Sequence, residues 1–184
     1  MIPPKTAEEF LNTNGWAGAE ILPVAGDASF RRYFRVKLGE RKAILMDAPP
    51  PHEDPKPYID IANHLRSQNF VTPEIFAQDL DQGLVLIEDF GDHRMREHLD
   101  DHPQDEVKIY KQVVDLIRDL RHKPAAALPP YDWAQYLREV NLLTEWYCSA
   151  QKLTVDQDGF VAAWQQVLAP VLAAQEAPVT VMRD

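Results

Sequence analysis

The hydrophobic pattern of this chain changes its period near Gly91, and that change restricts the fold strongly. Before it, residues 30–38 alternate in side-chain direction as a strand requires, with Phe34 on one face and Tyr33 and Arg35 on the other. Beyond Gly91, apolar residues recur every three or four positions, which is the spacing of one helix face. A sheet-forming part followed by a helical part predicts an α+β fold made of two different layers.

Five segments of the first part are predicted to be strands, with one helix after the third strand. Three strands, the helix and two further strands are predicted at residues 20–24, 30–38, 42–46, 58–68, 74–78 and 84–88. Before them, Thr6 and Glu9 have the spacing of a capping box and predict a short helix that Gly15 ends. Five prolines between Ala48 and Pro57 predict a loop, because proline fixes φ and lacks an N–H donor.

The part after Gly91 is predicted to be helical and to form a separate domain. We therefore expect one domain at residues 1–90 and a second at residues 91–184. The helical spacing covers residues 107–120, 131–149 and 160–168. Pro170 is expected to kink or end the last of these helices. Residues 179–181 are rich in β-branched side chains and are predicted to be strand-like.

The charge balance argues against a nucleic-acid-binding groove, which needs clustered cations. Lys and Arg total 19 against 29 Asp and Glu, a formal net charge of −10. Cys148 is the only cysteine in the sequence, so no intrachain disulfide can form, as suits a reducing compartment. The apolar runs are too short to cross a bilayer, and residues 1–9 lack the pattern of a signal peptide. We expect a cytoplasmic protein that binds neither nucleic acid nor membranes.

Three short motifs together carry a family resemblance. Residues 26–36 read GDASFRRYFRV, residues 45–50 read LMDAPP and residues 87–91 read IEDFG. They resemble the aminoglycoside phosphotransferase superfamily, whose fold is protein-kinase-like. Within it they are most similar to the kinases of peptidoglycan recycling that phosphorylate N-acetylmuramate and N-acetylglucosamine at the anomeric hydroxyl. The last four residues, 181–184, read VMRD and resemble the start of the family's catalytic loop.

The resemblance implies an architecture and an activity. The fold would be a five-stranded antiparallel nucleotide-binding lobe with one helix, followed by the first helices of an incomplete α-helical lobe. The activity would be ATP-dependent transfer of a phosphoryl group to a small-molecule hydroxyl, with Mg²⁺ bound by residues beyond position 184. The chain would then be truncated at the catalytic loop, and we expect the 184-residue polypeptide alone to be inactive.

The resemblance also implies a nucleotide site on the sheet. The turn expected to cradle the phosphates consists of Gly26, Asp27, Ala28 and Ser29. Glycine and small side chains let backbone N–H groups approach phosphate oxygens, although a plain hairpin turn would look the same. Ile44 is expected to pack against the adenine, and the backbone of Glu88 and Phe90, with Asp89 between them, to bind its edge.

The sequence departs from the kinase pattern on the third strand. The lysine that contacts the α- and β-phosphates in kinases would fall at Met46, whose thioether carries no charge. The nearest cations in sequence are Arg31, Arg32 and Arg35, unless these are ordinary solvated strand arginines. Arg31 and Arg32 project from opposite faces, so only one can reach the nucleotide, and Arg32 is the predicted one.

Catalytic and substrate residues are also implied by the resemblance. Asp184 would accept or orient the proton of the sugar hydroxyl. Glu139, Glu145 and Tyr147 lie on the helix that borders the sugar site in this family, and they are weaker substrate candidates. No residue is assigned to a metal, because the pair His98 and His102 lacks a third ligand and is expected in a surface loop.

Two alternatives remain open. The acceptor could be an aminoglycoside or another small alcohol instead of an amino sugar. The chain could also be a non-catalytic nucleotide-binding module, as the uncharged Met46 would suit. Independently of function, the predicted helices carry apolar residues without evident partners, so self-association of the chain is expected.

Overall fold

The computed structural model describes residues 1–24, 30–175 and 177–182. It divides into two compact units, Met1–Val114 and Asp115–Asp184. The first contains the sheet and the second is helical in its described part, which confirms the predicted α+β class. The division falls inside a helix rather than at a linker, and the domain boundary expected at residue 90 stays a prediction.

The sheet of the first unit has five strands. They are β1 (Glu20–Pro23), β2 (Arg32–Leu38), β3 (Arg41–Asp47), β4 (Ile75–Asp79) and β5 (Leu84–Glu88). Their order is β1-β2-β3-β5-β4, and every neighbouring pair is antiparallel, as the sequence predicted. In the β2–β3 register, Tyr33 lies opposite Met46 and Arg32 opposite Asp47. Since side chains alternate along a strand, this register decides which residues share each face.

One face of the sheet, called here the α1 face, is covered by the N-terminal helix α1 (Ala7–Thr13). Phe34 and Leu45 point to this face and pack with Phe10 of the helix. Each is fully or almost fully buried, and burying a side chain of this size contributes about 1.5–3 kcal/mol. Thr6 precedes the helix but makes no side-chain capping hydrogen bond, so the predicted capping box does not form.

The opposite face, called here the α2 face, packs against helix α2 (Lys56–Ser67). Met46 and Ile87 of the sheet form a second core with Ile59 of that helix. Tyr33 and Ile44 pack against the edge of this core and stay partly exposed. The two cores fix the sheet between two helices, one of which was predicted to follow the third strand.

The helices after the sheet have little burial of their own. They are α3 (Met95–Asp101), a 3₁₀ turn (Pro103–Asp105), α4 (Glu106–Arg121), α5 (Trp133–Leu142), a π-helical segment (Leu143–Cys148) and α6 (Gln157–Ala173). None of them contains a buried residue among those that the structure describes. No helix in the described ranges is both long and apolar enough to span a bilayer.

The structure bears on three local expectations. Helix α6 continues past Pro170 to Ala173, so the expected end at Pro170 is wrong, while the alternative, a kink there, stays a prediction. Residues 179–181 form no strand, although Thr180 accepts a hydrogen bond from the Ala126 N–H at 2.9 Å. His98 lies in helix α3 rather than in a surface loop, and its ring stacks on His102.

Candidate functional site

Ile44 lies in the middle of strand β3 on the α2 face. It pairs in register with Arg35 of β2 and with Ile87 of β5, so it occupies the centre of the sheet. Its side chain is partly exposed, whereas the neighbouring Met46 is fully buried. A partly exposed aliphatic side chain at the centre of a sheet offers a flat apolar surface to an aromatic ring.

The connector, defined as residues 88–91, leaves the end of β5. The Glu88 N–H donates to the Glu74 carbonyl at 2.8 Å, and the Glu74 N–H donates to Glu88 Oε2 at 3.1 Å. Phe90 is exposed, at 56% of its full accessible surface. The Gly91 N–H donates to Asp89 Oδ1 at 2.9 Å, which closes the connector into a tight turn.

Arg35 fixes this connector to the sheet. Its Nε donates to Asp89 Oδ2 at 2.7 Å and its Nη2 donates to Asp89 Oδ1 at 3.1 Å, which is a bidentate pair. Its Nη1 donates to Asp92 Oδ2 at 2.8 Å. Hydrogen bonds to Asp92 and Asp89 raise the pKa of Arg35 above its ordinary value, and the hydrogen bond from Arg35 lowers the pKa of Asp92. Asp92 was not among the predicted site residues, because no local pattern links it to strand β2.

Arg32 lies on the other side of the sheet. It shares the α1 face with Phe34, and its Nε donates to Asp47 Oδ2 at 2.8 Å. Asp47 is only 1% exposed, whereas the Arg32 side chain is 38% exposed, so a buried carboxylate pairs with a partly exposed guanidinium. Arg32 therefore projects away from Ile44, and its contact with a nucleotide stays a prediction.

Phe30 and Arg31, the two residues just before β2, contact the proline-rich loop that leads into α2. Arg31 Nε donates to Glu53 Oε2 at 2.8 Å. The ring of Phe30 stacks on His52, with centroids 5.1 Å apart and planes 21° from parallel. Two adjacent residues of the hairpin thus contact two adjacent residues of the loop.

Several predicted site residues lie outside the described part of the chain. These are the turn residues Gly26, Asp27, Ala28 and Ser29 and the predicted base Asp184. Their assignments stay predictions. The assignment of a metal also stays a prediction. Among the described residues, no group of three or more His, Cys, Asp or Glu could hold a metal ion.

The three substrate candidates lie on the second unit. Glu139 belongs to α5, where its Oε1 accepts from Gln135 Nε2 at 2.9 Å and pairs with Arg138 at 3.2 Å. Glu145 and Tyr147 are exposed in the π-helical segment. Such segments often occur at functional sites because they interrupt the regular helix, but the contact of these three residues with a sugar stays a prediction.

The chain matches proteins of known name over most of its length. Residues 20–184 match the model of the phosphotransferase enzyme family, APH. An N-acetylmuramate/N-acetylglucosamine kinase of Pseudomonas aeruginosa is 38% identical over 164 residues, covering 86% of this chain and 48% of that kinase. A kinase of the same name in Pseudomonas putida is 32% identical, and the match covers 86% of this chain and 48% of that kinase. Another in Neisseria meningitidis is 31% identical, and the match covers 82% of this chain and 47% of that kinase.

The chain spans about half the length of these relatives. The part that matches includes the whole sheet, the connector and the helices that follow. The match therefore covers the elements on which the candidate site is built, and the chain belongs to the phosphotransferase enzyme family.

Proposed function

We propose that this chain forms the nucleotide-binding part of an ATP-dependent kinase that phosphorylates N-acetylmuramate and N-acetylglucosamine at the anomeric hydroxyl. The observation that carries the proposal is the shared name of the three relatives, each of which matches more than four fifths of the chain. The protein that contains this chain would act on a small sugar in the cytoplasm, a location consistent with the single cysteine of these 184 residues.

The geometry of the first unit supports ATP as the donor. Ile44 offers an apolar surface on the α2 face, and the connector carries the backbone groups of Glu88 and Phe90 at the end of the neighbouring strand β5. Arg35 holds the connector through the nearly buried Asp89, so the backbone groups are preorganised. Preorganised polar groups beside an apolar surface are typical of small-molecule sites.

The remaining steps rest on residues that the structure does not describe or on groups it does not contain. Gly26, Asp27, Ala28 and Ser29 would cradle the phosphates through backbone N–H groups, and Asp184 would orient the sugar hydroxyl. Mg²⁺ would neutralise charge on the phosphates when bound. Glu139, Glu145 and Tyr147, which the structure does describe, are proposed as sugar contacts.

The test measures ADP release by the natural protein that contains this chain. We expect turnover with N-acetylglucosamine and N-acetylmuramate and none with their methyl glycosides, in which the anomeric oxygen can no longer accept a phosphoryl group. An aminoglycoside and choline serve as further acceptors. Phosphorylation of a methyl glycoside, or turnover with an aminoglycoside alone, would contradict the proposal.

A non-catalytic nucleotide-binding module is the second candidate. It is favoured by Met46, which is fully buried where other kinases carry a charged lysine. Under this alternative, the natural protein would bind ATP with an affinity measurable by calorimetry but release no ADP with any of the acceptors.

A further inference from the structure

We propose that Arg31, oriented by Glu53, supplies the positive charge to the nucleotide phosphates that a third-strand lysine supplies in other kinases. The inference rests on the proposed function, because it assumes that ATP lies on the α2 face. It goes beyond that function by assigning a phosphate-binding residue and a residue that positions it.

The Arg31 side chain is directed to the α2 face. Tyr33 lies opposite Met46 in the β2–β3 register and packs against the core of the α2 face. Arg31 immediately precedes β2 and is two residues before Tyr33, so continuing the alternation of the strand by one residue directs both side chains to the same face. Burial lowers the pKa of Arg31, but hydrogen bonds to Glu53 and Tyr33 and the charge of Glu53 raise it above its ordinary value. The contact with Tyr33 agrees with the alternation.

Tyr58 of helix α2 places Arg31 at the same side of the molecule. Burial raises the pKa of Tyr58, as does the neighbouring Tyr33 to a smaller extent, while the charge of Arg31 lowers it. Arg31 is thus near enough to act electrostatically on a side chain of the helix that covers Met46. The positive charge missing from Met46 is restored by a residue of the adjacent strand end.

Arg31 pairs with a carboxylate at the entry to helix α2. In protein kinases the third-strand lysine pairs with a glutamate of the helix that follows that strand. Here Glu53 lies three residues before α2 and pairs with Arg31 at 2.8 Å, with side-chain exposures of 17% and 30%. The carboxylate still comes from the entry to the same helix, while the cation comes from the residue just before β2 instead of from β3. A guanidinium has five N–H donors, so it can bind a carboxylate and a phosphate together.

Arg31 differs in position and partners from the two nearby arginines of β2, Arg32 and Arg35. Arg32 is on the α1 face against the buried Asp47. Arg35 shares the α2 face but donates to both Asp89 and Asp92, which makes it the clamp of the connector. Arg31 lies on the α2 face and pairs with Glu53 of the loop that leads into α2. The stacking of Phe30 on His52 fixes this end of the hairpin against the loop that carries Glu53.

The experiment uses the natural protein that contains this chain and compares binding of ATP with binding of adenosine by calorimetry. Arg31→Met should lower ATP affinity by about tenfold, the equivalent of about 1.4 kcal/mol, and leave adenosine affinity unchanged. Arg31→Lys keeps the charge and should lose less ATP affinity than Arg31→Met. Glu53→Gln should lower kcat more than it raises KM for ATP, because the cation remains but is no longer held in place.

Two further variants serve as controls. Arg66→Met removes an arginine from an exposed pair with Glu74, 3.6 Å apart, and should leave ATP affinity and activity unchanged. Arg32→Met decides between the two neighbouring arginines, and it should lower ATP affinity less than Arg31→Met does. Thermal unfolding of each variant shows whether it folds, and Arg31→Lys still tests the role of the charge if Arg31→Met does not.

The outcomes separate the two proposals. If the wild type phosphorylates amino sugars but Arg31→Met binds ATP normally, the assignment of Arg31 is wrong and the proposed function stands. Equal losses of ATP and adenosine affinity would show a structural role for Arg31 and would also overturn the assignment. If the wild type binds neither ATP nor adenosine, the proposed function fails and this assignment fails with it.

Discussion

Arg35 joins the middle of strand β2 to Asp89, which lies 54 positions later in the chain. The planar guanidinium matches a carboxylate with two parallel hydrogen bonds, and the Asp89 side chain is only 4% exposed. Asp92 accepts from the same guanidinium but is 80% exposed at its side chain. The two carboxylates therefore share one cation in different surroundings, one nearly buried and the other in water.

The pairing of Arg35 with Asp92 predicts that the free energy of unfolding depends on pH through the ionisation of Asp92. Because the hydrogen bond from Arg35 lowers the pKa of Asp92 below its ordinary value of 3.8, the folded state favours the ionised carboxylate. The stabilisation is present above pH 3.8 and is lost as the pH falls through the lower pKa of the folded state. Asp92→Asn should thus reduce the free energy of unfolding at neutral pH but not at strongly acidic pH.

Urea unfolding of the wild type and of Asp92→Asn at a series of pH values measures this difference, and a carbon-detected NMR titration gives the pKa of Asp92 directly. The Arg35–Asp89 pair is intact in both proteins, so it is a built-in control. A stability difference that stays constant down to strongly acidic pH would contradict the prediction.

The alternation of side chains along β2 could be predicted from the sequence, but the ion pairs of the three arginines could not. The sequence placed Arg31 and Arg32 on opposite faces, and the register of Arg32 with Asp47 agrees with that placement. The ion pairs of the three hairpin arginines join residues 22, 15 and 54 positions apart, in the order of the chain. Local sequence patterns contain no information on contacts at such separations, so the choice between Arg31 and Arg32 could not be made from them.

The turn between β4 and β5 packs closely against the backbone that follows β3. Gly83 has φ +70°, and a Cβ atom added there would lie 1.9 Å from the Ala48 carbonyl oxygen. The Ala48 N–H donates to the Gly83 carbonyl at 2.8 Å. The backbone of the turn thus approaches the backbone after β3 closely, which only glycine permits.

Gly83→Ala should therefore destabilise the protein more than an alanine at another glycine with positive φ. Gly39 has φ +59° and open space around its missing Cβ, so Gly39→Ala should cost only the backbone term of about 1 kcal/mol. Gly83→Ala adds a backbone clash that must shift the Ala48 segment away. Thermal and urea unfolding of both variants give the comparison, and similar losses at the two sites would show that the turn is not constrained by Ala48.

The elements themselves were predicted well where a buried face imposes a period. Strands β1 to β5 and helix α2 occur within two residues of the predicted bounds, because a period of two or 3.6 follows from burial on one face. Residues 179–181 failed as a strand because β-branched residues satisfy only the local preference, whereas a strand also needs a partner. Gly83 and Ala48 are about 35 positions apart in the chain, so no local sequence pattern could predict their close approach.

The buried hydrophobic side chains of the described residues are concentrated in the first part of the chain. All buried hydrophobic residues of the described part lie between Ala7 and Ile87. Helix α4 in contrast presents an exposed apolar stripe, defined as Val107, Tyr110, Val114 and Ile117, whose exposed fractions are 82%, 49%, 62% and 61%. The spacing of the stripe is that of one helix face, the kind of surface that normally packs against a partner.

We predict that the 184-residue chain associates with itself through the α4 stripe. Apolar side chains left in contact with water favour association, and replacing two of them by charges should reverse it. The double variant Val114→Glu, Ile117→Glu should have a lower apparent mass in light scattering and sedimentation than the wild type at equal concentration. Val71→Glu is the matched control, because Val71 is 88% exposed but lies outside the stripe, and it should leave the apparent mass unchanged. A monodisperse wild-type monomer over a wide range of concentrations would contradict the prediction, and equal effects of Val71→Glu and the double variant would assign any association to net charge rather than to this helix.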